Sequence, residues 1–497
     1  MNRYLILRFL KAILSIFIVM AIVIVMVFTL MPEDNLFKDD KTFSKLRGNE
    51  KITYRLSTLE SLGYLEYVNI GQMCARAEDK SGQCTVNDSP EQNSVLKEFE
   101  DKGFVIGRFQ DEGVLKNTPY GYRKYGAFEL LKKYFTRLIH FDTPNRIQNA
   151  NDPKLETDRG YHFGTDHNGI PALTCYGCEN KYQIYFNGKF PFIHQNFLSF
   201  EFGRSFPTNP GTSTTEVISE PQGSQKRREV TFPTGYKTTS AEDLHSLQYK
   251  HSIDHLDEQK YEDHYASAKI LKDAPSMIGM SYIFGIIALV LSYLLALPWG
   301  IAMARNKGKM VDKLGIAYIN LLIAVPSLAL IFVLKYIGSM FGFPDKFPQL
   351  GPHNIRSYIM PIVVMVIIGM PGIMTWIRRY MIDQQSADYV KFARAKGLSR
   401  NEISKNHILK NAVIPIVNGI PSSIVLQIVG AIYTETIFAI PGMGKMLPDA
   451  MKAGNNNMII TLTFIFTSLA IFAQFAGDIL MTWVDPRISL DNGKGEV

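Results

Sequence analysis

The chain has 497 residues, with 53 Lys+Arg, 46 Asp+Glu and a formal net charge of +7 at pH 7, and this length exceeds that of one ordinary domain. The charge is uneven: residues 32–273 hold 31 basic and 35 acidic residues, a net of −4, and the rest holds 22 and 11, a net of +11. Because the positive excess lies beside long apolar runs, it indicates a membrane protein and argues against nucleic-acid binding.

Six charge-free apolar runs predict six transmembrane helices. Each run reaches the roughly 20 residues that cross about 30 Å of hydrocarbon. The runs are 12–31, 274–304, 314–334, 357–377, 411–434 and 453–477. The first is not a cleaved signal peptide, because its apolar stretch is long and residues 31–34 offer no small-residue cleavage site.

The short connections between these runs predict the orientation of the chain. Lys and Arg are concentrated before the first run, between the second and third, and between the fourth and fifth. The positive-inside rule therefore predicts a multi-pass protein of the plasma membrane with both termini in the cytoplasm. Residues 32–273 then lie outside the cell.

The segment 32–273 has the composition of a folded domain, and we predict a mixed α/β fold for it. Residues 127–141 have helical periodicity, with Leu130, Tyr134 and Leu138 on one face. Residues 182–186 and 230–232 are typical of short strands. The polar, turn-rich stretch 207–240 predicts an exposed loop or linker.

All four cysteines of the chain lie in this segment. An oxidising compartment favours disulfides, and local pairing would join Cys74 to Cys84 and Cys175 to Cys178. A four-thiolate zinc site, a redox Cys-x-x-Cys pair and free thiols are the alternatives.

Four histidines are crowded into residues 245–264: His245, His251, His255 and His264. On a helix, the second and third of these would share a face, as metal ligands can. The competing interpretation is a solvated, charged helix that leads into the membrane, and it is the one we favour. We therefore assign no metal site from the sequence.

A basic segment between the fourth and fifth apolar runs, residues 388–411, is called the elbow here. Its pattern predicts two short helices. Asp388 can cap the first, and Gly397 can end it in the left-handed conformation. Ser399 and Glu402 have the spacing of a capping box for the second.

The elbow has the properties of a docking element. Its small residues would allow a close approach by another protein, its basic residues would attract an acidic rim, and it runs directly into the fifth apolar run. The alternative is a basic loop that merely obeys the positive-inside rule. A DNA-binding helix-turn-helix is disfavoured because some 25 residues leave no room for a third helix.

No catalytic constellation is visible in the sequence. Residues 441–446 resemble a phosphate loop only superficially, because they lack its first glycine and the Ser/Thr that would hold magnesium. Polar residues within the apolar runs are candidates for a translocation path: Asn418, Gln427 and Gln474. We expect Asp478 at a helix end near the cytoplasm, and Glu435 to pair with a partner's cation or to meet solvent.

The elbow resembles the cytoplasmic loop of binding-protein-dependent ABC importer permeases. It is most similar to that of the first transmembrane subunit of Opp-type oligopeptide importers. The matching residues are Asp388-Tyr389-Val390, Ala393-Arg394-Ala395-Lys396-Gly397-Leu398, His407, Asn411-Ala412 and Pro415. Lys391 and Phe392 depart from the usual acidic or small opening.

Further motifs extend the resemblance to about 190–220 and 274–490. They are Phe202-Gly203-Arg204-Ser205, Leu297-Pro298-Trp299-Gly300, Glu435-Thr436-Ile437-Phe438, Pro441-Gly442-Met443-Gly444 and Asp485-Pro486-Arg487. About 150 additional residues precede the first of these motifs. In this respect the chain is similar to a subgroup of Gram-positive oligopeptide permeases with an enlarged extracellular domain.

The resemblance implies a fold and a division of the chain. The fold would be a polytopic α-helical membrane protein with the six transmembrane helices of the type I ABC importer permease. Residues 1–31 would form the first helix, residues 32–273 a mixed α/β extracellular domain, and residues 274–490 the permease core.

The resemblance also implies partners. These are a homologous second permease, two ABC ATPase subunits that bind ATP and Mg, and an extracellular lipoprotein that delivers a peptide cargo. The chain itself would be no enzyme and would hold no cofactor. The coupling residues would be Ala393, Arg394, Ala395, Lys396, Gly397, Leu398 and His407.

Rival functions remain open from the sequence alone. The same class of importer could carry a dipeptide, nickel, glutathione or a pheromone peptide. A receptor with a ligand-binding outer domain would need fewer spans. A secondary transporter would predict interrupted inverted repeats, and no clear pair of these appears.

Overall fold

A computed structural model describes residues 2–78, 82–111, 115–148, 152–188 and 192–484 of the chain. In chain order, the helices before the second apolar run are α1 (Asn2–Leu30), α2 (Asp34–Phe37), α3 (Lys41–Lys45), α4 (Gly48–Leu62), α5 (Ile70–Arg76), α6 (Pro90–Asp101), α7 (Ala127–Leu138), α8 (Pro153–Thr157), α9 (Thr214–Ser219) and α10 (His255–Lys260). The remaining helices are α11 (Met277–Arg305), α12 (Met310–Ala324), α13 (Ser327–Met340), α14 (Arg356–Gln385), α15 (Asp388–Ala395), α16 (Arg400–Glu402), α17 (Leu409–Phe438), α18 (Met443–Ala453) and α19 (Asn456–Val484).

Within the described residues, the strands lie between α4 and α11. They are β1 (Leu65–Asn69), β2 (Val105–Arg108), β3 (Pro119–Lys124), β4 (Ile139–Phe141), β5 (Gly160–Thr165), β6 (Pro171–Tyr176), β7 (Tyr182–Phe186), β8 (Ile193–Gln195), β9 (Leu198–Phe200), β10 (Pro221–Gln225), β11 (Arg228–Thr231), β12 (Lys237–Ser240), β13 (Glu242–Tyr249), β14 (Tyr265–Ile270) and β15 (Lys272–Ser276). Residues 32–273 are called the inserted domain below.

Five helices of the described chain are long and apolar enough to cross a membrane: α1, α11, α14, α17 and α19. The predicted span 314–334 is not one straight helix, since α12 and α13 meet at an angle of 110°. Val325 is extended, with φ −86° and ψ 130°, and Pro326 follows it. The residue before a proline is sterically excluded from the helical region, which explains the break.

The inserted domain contains both helices and antiparallel sheets, as predicted. Its largest sheet has the order β5-β6-β7-β8, and a second has the order β1-β3-β2. Strand β7 matches the predicted residues 182–186, and Leu130, Tyr134 and Leu138 of α7 are buried on one face. That face packs on α1 and on the first turns of α19.

Two predictions for the inserted domain are wrong. The stretch 207–240 is not a loop, since it contains α9, β10, β11 and β12. Val217 and Ile218 of α9 are buried in the cluster that also contains α1 and α19, so tertiary contacts override the polar composition. Residues 245–264 do not form one charged helix either, because β13 occupies their beginning and only the short α10 is helical.

An asparagine triplet at the start of α19 joins the inserted domain to the helical core. The Asn455 amide donates to the Ser205 and Thr208 hydroxyls, both at 2.8 Å. The Asn457 amide donates to the Arg204 carbonyl at 2.9 Å, and Asn456 contacts the Tyr64 hydroxyl. The conformation of residues 203–208 is therefore fixed by buried polar contacts.

Candidate functional site

The first helix of the elbow, α15, ends at a left-handed glycine as its sequence predicts. Gly397 has φ +79°. Its backbone N–H donates to the Arg394 carbonyl at 2.9 Å, and the N–H of Leu398 donates to the Ala393 carbonyl at 3.3 Å. These two bonds form a Schellman motif, in which the left-handed residue satisfies carbonyls that the helix leaves free.

The caps of the two elbow helices differ. Asp388 does not cap α15, because the N-cap residue is Ala387 and Asp388 lies inside the first turn, where its carboxylate pairs with Lys391 at 2.8 Å. For α16 the predicted capping box is confirmed, with reciprocal bonds between Ser399 and Glu402. A π-helical turn over Ile403–Ile408 then continues directly into α17.

The elbow has a buried side and an exposed side. Val390, Ala393, Ile403 and Ile408 are buried together against the ends of α11 and α14. Ala393 lies on the buried side, since it is 5% exposed and already covered by its own chain, so its side chain is not part of the exposed surface.

The exposed side is the turn itself. All the residues of 394–398 are exposed, and a Cβ placed on Gly397 would meet no atom within 4 Å. Phe392 is 70% exposed and Leu398 is 37% exposed, so an apolar surface lies beside the cations of Arg394 and Lys396. In the sequence Phe392 is only a departure from a pattern, yet it supplies the largest apolar group of this surface.

His407 lies apart from this exposed turn. Its side chain is partly buried within the π-helical turn, and its carbonyl accepts a hydrogen bond from the Asn411 amide at 3.1 Å. The structure thus places six of the seven predicted coupling residues in α15 and its turn, and the seventh on the next helical segment.

Long-range contacts fix the elbow to two spanning helices. The Arg400 guanidinium donates to the Arg305 carbonyl at 3.1 Å, and the Arg305 side chain contacts the Asn401 amide oxygen. The Tyr389 hydroxyl of the elbow donates to the side-chain oxygen of Gln384, at the end of α14, at 2.7 Å. The elbow is consequently tied to α11 and α14 and is continuous with α17.

An ion pair strengthens this end of the helix bundle. The Arg378 guanidinium of α14 donates to both carboxylate oxygens of Asp312 in α12, at 2.6 and 3.0 Å. Asp312 is buried, and its carboxylate also accepts the Gly308 N–H at 2.8 Å. Because the pair has two parallel hydrogen bonds, it restrains the relative orientation of α12 and α14 as well as the distance between them.

A cleft of about 460 Å³ opens between α11, α14 and α17. Its walls are mainly apolar and aromatic, with small and hydroxyl-bearing residues along α17: Leu289, Ser292, Tyr293, Gly369, Gly372, Ile373, Trp376, Tyr380, Pro415, Ile416, Gly419, Ser422, Ser423, Leu426 and Gln427. The cleft has one amide side chain and no charged group among these residues.

The three predicted path residues do not lie together. Gln427 lines the cleft. Asn418 instead faces α19, where its side-chain oxygen would be 2.9 Å from a Cβ on Gly477. Gln474 is exposed on α19. Asn418 and Gln427 are both on α17, but their spacing along the helix directs their side chains to different neighbours. Gln474 belongs to a different helix.

Two further polar residues of the spans have partners that the sequence did not reveal. Glu435 does not meet solvent: it is 1% exposed, accepts a bond from the Ser281 hydroxyl at 2.6 Å and accepts the Lys445 N–H at 2.8 Å. It thereby holds residues 441–445 against α11. Asp478 forms an ion pair with Arg8 of α1.

The cysteines of the inserted domain pair as predicted, and its clustered histidines do not converge. Cys74 pairs with Cys84 and Cys175 with Cys178. His251 precedes α10 and His255 begins it, so they share no helix face; His264 bonds the Lys250 carbonyl, and His245 faces a different neighbour.

The motif Asp485-Pro486-Arg487 lies outside the described residues, as does the rest of the predicted core to residue 490.

Comparisons with known proteins agree with this architecture. Residues 296–490 match the family described as the binding-protein-dependent transport system inner membrane component. Over 505 aligned residues and the full length of both proteins, the chain is 40% identical to the oligopeptide transport system permease protein AmiC of Streptococcus pneumoniae. It is 30% identical to the dipeptide transport system permease protein DppB of Lactococcus lactis subsp. cremoris, over 46% of this chain and 74% of that protein.

Among solved structures, the chain is similar to one of the MetNI methionine ABC transporter in an inward-facing conformation. The identity is 16% and the TM-score 0.36, with 42% of this chain and 94% of the other covered. From the full-length relationship to AmiC and the family match, the chain belongs to the binding-protein-dependent ABC importer permeases of the oligopeptide and dipeptide type, and it is a multi-pass membrane subunit with the type I permease fold and not an enzyme.

Proposed function

We propose that this chain forms one half of an oligopeptide translocation path, pairs with a homologous second permease and receives movement from an ABC ATPase through the elbow. The observation that carries the proposal is the combination of an exposed turn at residues 394–398 with a rigid attachment to three spanning helices. An exposed turn alone would bend on contact, whereas this one shares a buried core with α11, α14 and α17.

The orientation belongs to the proposal. Basic residues are concentrated at the elbow end of the bundle, including Arg305, Arg378 and Arg400. The positive-inside rule supports a cytoplasmic location for this end and for both termini in the plasma membrane. The inserted domain then lies outside the cell, where its two disulfides are chemically favoured.

The partners are inferred from the family to which the chain belongs, and the elbow suggests how one of them would dock. Each permease of the pair would offer one elbow to one of two ATPase subunits, which would bind ATP and Mg. The apolar surface of Phe392 and Leu398 would enter a groove, and Arg394 and Lys396 would meet an acidic rim. An extracellular lipoprotein would present the peptide on the side of the inserted domain.

Movement would follow rigid-body mechanics. When the ATPases close, the elbow would shift, and α17 would move with it because no flexible loop separates them. The Asp312–Arg378 pair would carry α12 along with α14. The cleft beside α17 would then change its exposure from one side of the membrane to the other.

Oligopeptide cargo is supported by the full-length similarity to the oligopeptide permease AmiC. A largely apolar cleft with Gln427 as an amide suits cargo of varied sequence, since it offers few specific contacts. A dipeptide or a pheromone peptide is the alternative, and competition for uptake by peptides of increasing length would separate these.

Site-directed cross-linking tests the elbow assignment. All four native cysteines are paired, so Ala395→Cys introduces a unique thiol on the exposed turn. We expect a bifunctional thiol reagent to join this variant to an ATPase that carries a cysteine at the edge of its groove. Lys11→Cys, which is exposed on α1, is the matched control. Equal cross-linking of both variants, or none at position 395, would refute the docking role.

A further inference from the structure

The inserted domain brings one aspartate and two histidines together away from the elbow and the cleft. Asp166 and His167 lie in the turn between β5 and β6, and His245 lies on β13. One candidate ligand atom from each residue lies within 4.8 Å of the other two. Asp166 and His245 are 6% and 7% exposed, so most of this cluster is shielded from water.

Asp166 presents one carboxylate oxygen to the cluster and uses the other locally. Its Oδ1 accepts the backbone N–H groups of Asn168 at 2.8 Å and Ile170 at 2.9 Å. Its Oδ2 lies 2.7 Å from Nε2 of His245. The backbone bonds hold the carboxylate in place, so Oδ2 is oriented before any ligand arrives.

Two neighbouring side chains orient the imidazole ring of His245. Its Nδ1 lies 3.6 Å from Oδ1 of Asp243, and its ring stacks on Tyr185 with 4.6 Å between centroids and 7° between planes. A carboxylate on the far nitrogen is the usual companion of a metal-binding histidine, because it selects the tautomer that leaves the other nitrogen free.

His167 contributes an unsatisfied atom. Its Nδ1 is buried and has no hydrogen-bond partner among the described residues. Its Nε2 lies 3.0 Å from the Asn168 side-chain amide, which can turn its oxygen toward a protonated Nε2. Leaving a buried polar atom unpaired costs about 1–3 kcal/mol, and a cation at this position would satisfy it.

We propose that Asp166, His167 and His245 form a binding site for one divalent transition-metal ion of the Zn²⁺ class. The ligands would be Oδ2 of Asp166, Nε2 of His245 and Nδ1 of His167, with water in the fourth position. Two imidazoles and one carboxylate suit Zn²⁺ and disfavour Ca²⁺ and Mg²⁺, which select oxygen ligands.

Little movement would be needed to admit the ion. Zn²⁺ binds imidazole nitrogen and carboxylate oxygen at about 2.0–2.2 Å in a tetrahedral arrangement, which separates two ligand atoms by roughly 3.3 Å. The Asp166–His245 contact would therefore open from its present 2.7 Å. The required change in this separation is about 0.6 Å.

Metal content of the full-length chain tests the site. The protein would be purified in detergent with a histidine-free tag, stripped with EDTA and titrated with Zn²⁺. We expect one Zn²⁺ per chain for the parent and for the control His255→Ala, whose side chain is exposed on α10. His167→Ala, which leaves the Asp166–His245 pair intact, should lower the affinity at least tenfold.

A second measurement separates loss of the ligand from loss of the fold. Co²⁺ should give the intense visible absorption of a tetrahedral site in the parent and in His255→Ala, and lose it in His167→Ala. Zn²⁺, and not Mg²⁺, should raise the thermal stability of the parent. Equal Zn²⁺ binding by the parent and His167→Ala, or an equal stability gain in both, would overturn the proposal in favour of a plain aspartate–histidine pair.

Discussion

Replacing Gly397 by valine probes the elbow most directly. Gly397 has φ +79°, and a Cβ there would touch no neighbouring atom, so the only direct penalty is backbone strain. A non-glycine residue in the left-handed region costs about 1–2 kcal/mol, and a β-branched side chain lies at the upper end of that range.

The strain can be relieved only by giving up other contacts. If the turn leaves the left-handed conformation, the Gly397 and Leu398 N–H groups lose their carbonyl partners. Each such bond contributes about 0.5–1.5 kcal/mol. Either outcome disfavours the docking conformation by about 1–2 kcal/mol, which corresponds to roughly a 5- to 30-fold lower population.

The assay would measure ATPase binding and peptide uptake after reconstitution with the partner subunits. We expect Gly397→Val to weaken the apparent affinity for the ATPase roughly 5- to 30-fold while the amount inserted in the membrane stays near the parental level. Gly397→Asn should recover most of the loss, because asparagine tolerates the left-handed conformation.

Gly351 provides the matched control for strain. It has φ +89°, and a Cβ added to it would meet only open space, but it lies between α13 and α14, at the end of the bundle opposite the elbow. Gly351→Val should therefore leave coupling unchanged. Parental uptake in Gly397→Val, or an equal loss in Gly351→Val, would contradict the reasoning.

Three further predictions concern stability. Asp312→Ala should lower the free energy of unfolding by about 2–4 kcal/mol, because it strands the Arg378 cation; thermal unfolding in detergent would measure this, and the double alanine variant should recover part of the loss. Serine at both Cys74 and Cys84 should cost about 3 kcal/mol, from the entropy of a loop with a separation of 10 residues. An unchanged melting temperature would refute that estimate. Asn455→Ala should cost about 2–3 kcal/mol by leaving buried polar groups unpaired, with faster hydrogen exchange in residues 203–214 as the signature; unchanged exchange there would contradict the anchoring role.

The sequence alone predicted the features that depend on residues close together in the chain. The spans 12–31, 274–304, 357–377, 411–434 and 453–477 each fall on a long helix, because twenty apolar residues have few alternatives in a membrane. The left-handed turn at Gly397 and the capping box at Ser399 also follow from contacts over three to five residues. Both disulfides join near neighbours in the chain, which made their pairing predictable.

Tertiary structure alone decided the features that depend on distant contacts. Ala393 is buried in a cluster with residues of α11, α14 and α17, so its burial could not be inferred from the pattern of small residues around it. Glu435 meets Ser281 across 154 positions, and Asp166 meets His245 across 79. The physical reason is that periodicity and capping report the nearest few residues, whereas the partner of a buried polar group depends on how whole helices and sheets pack.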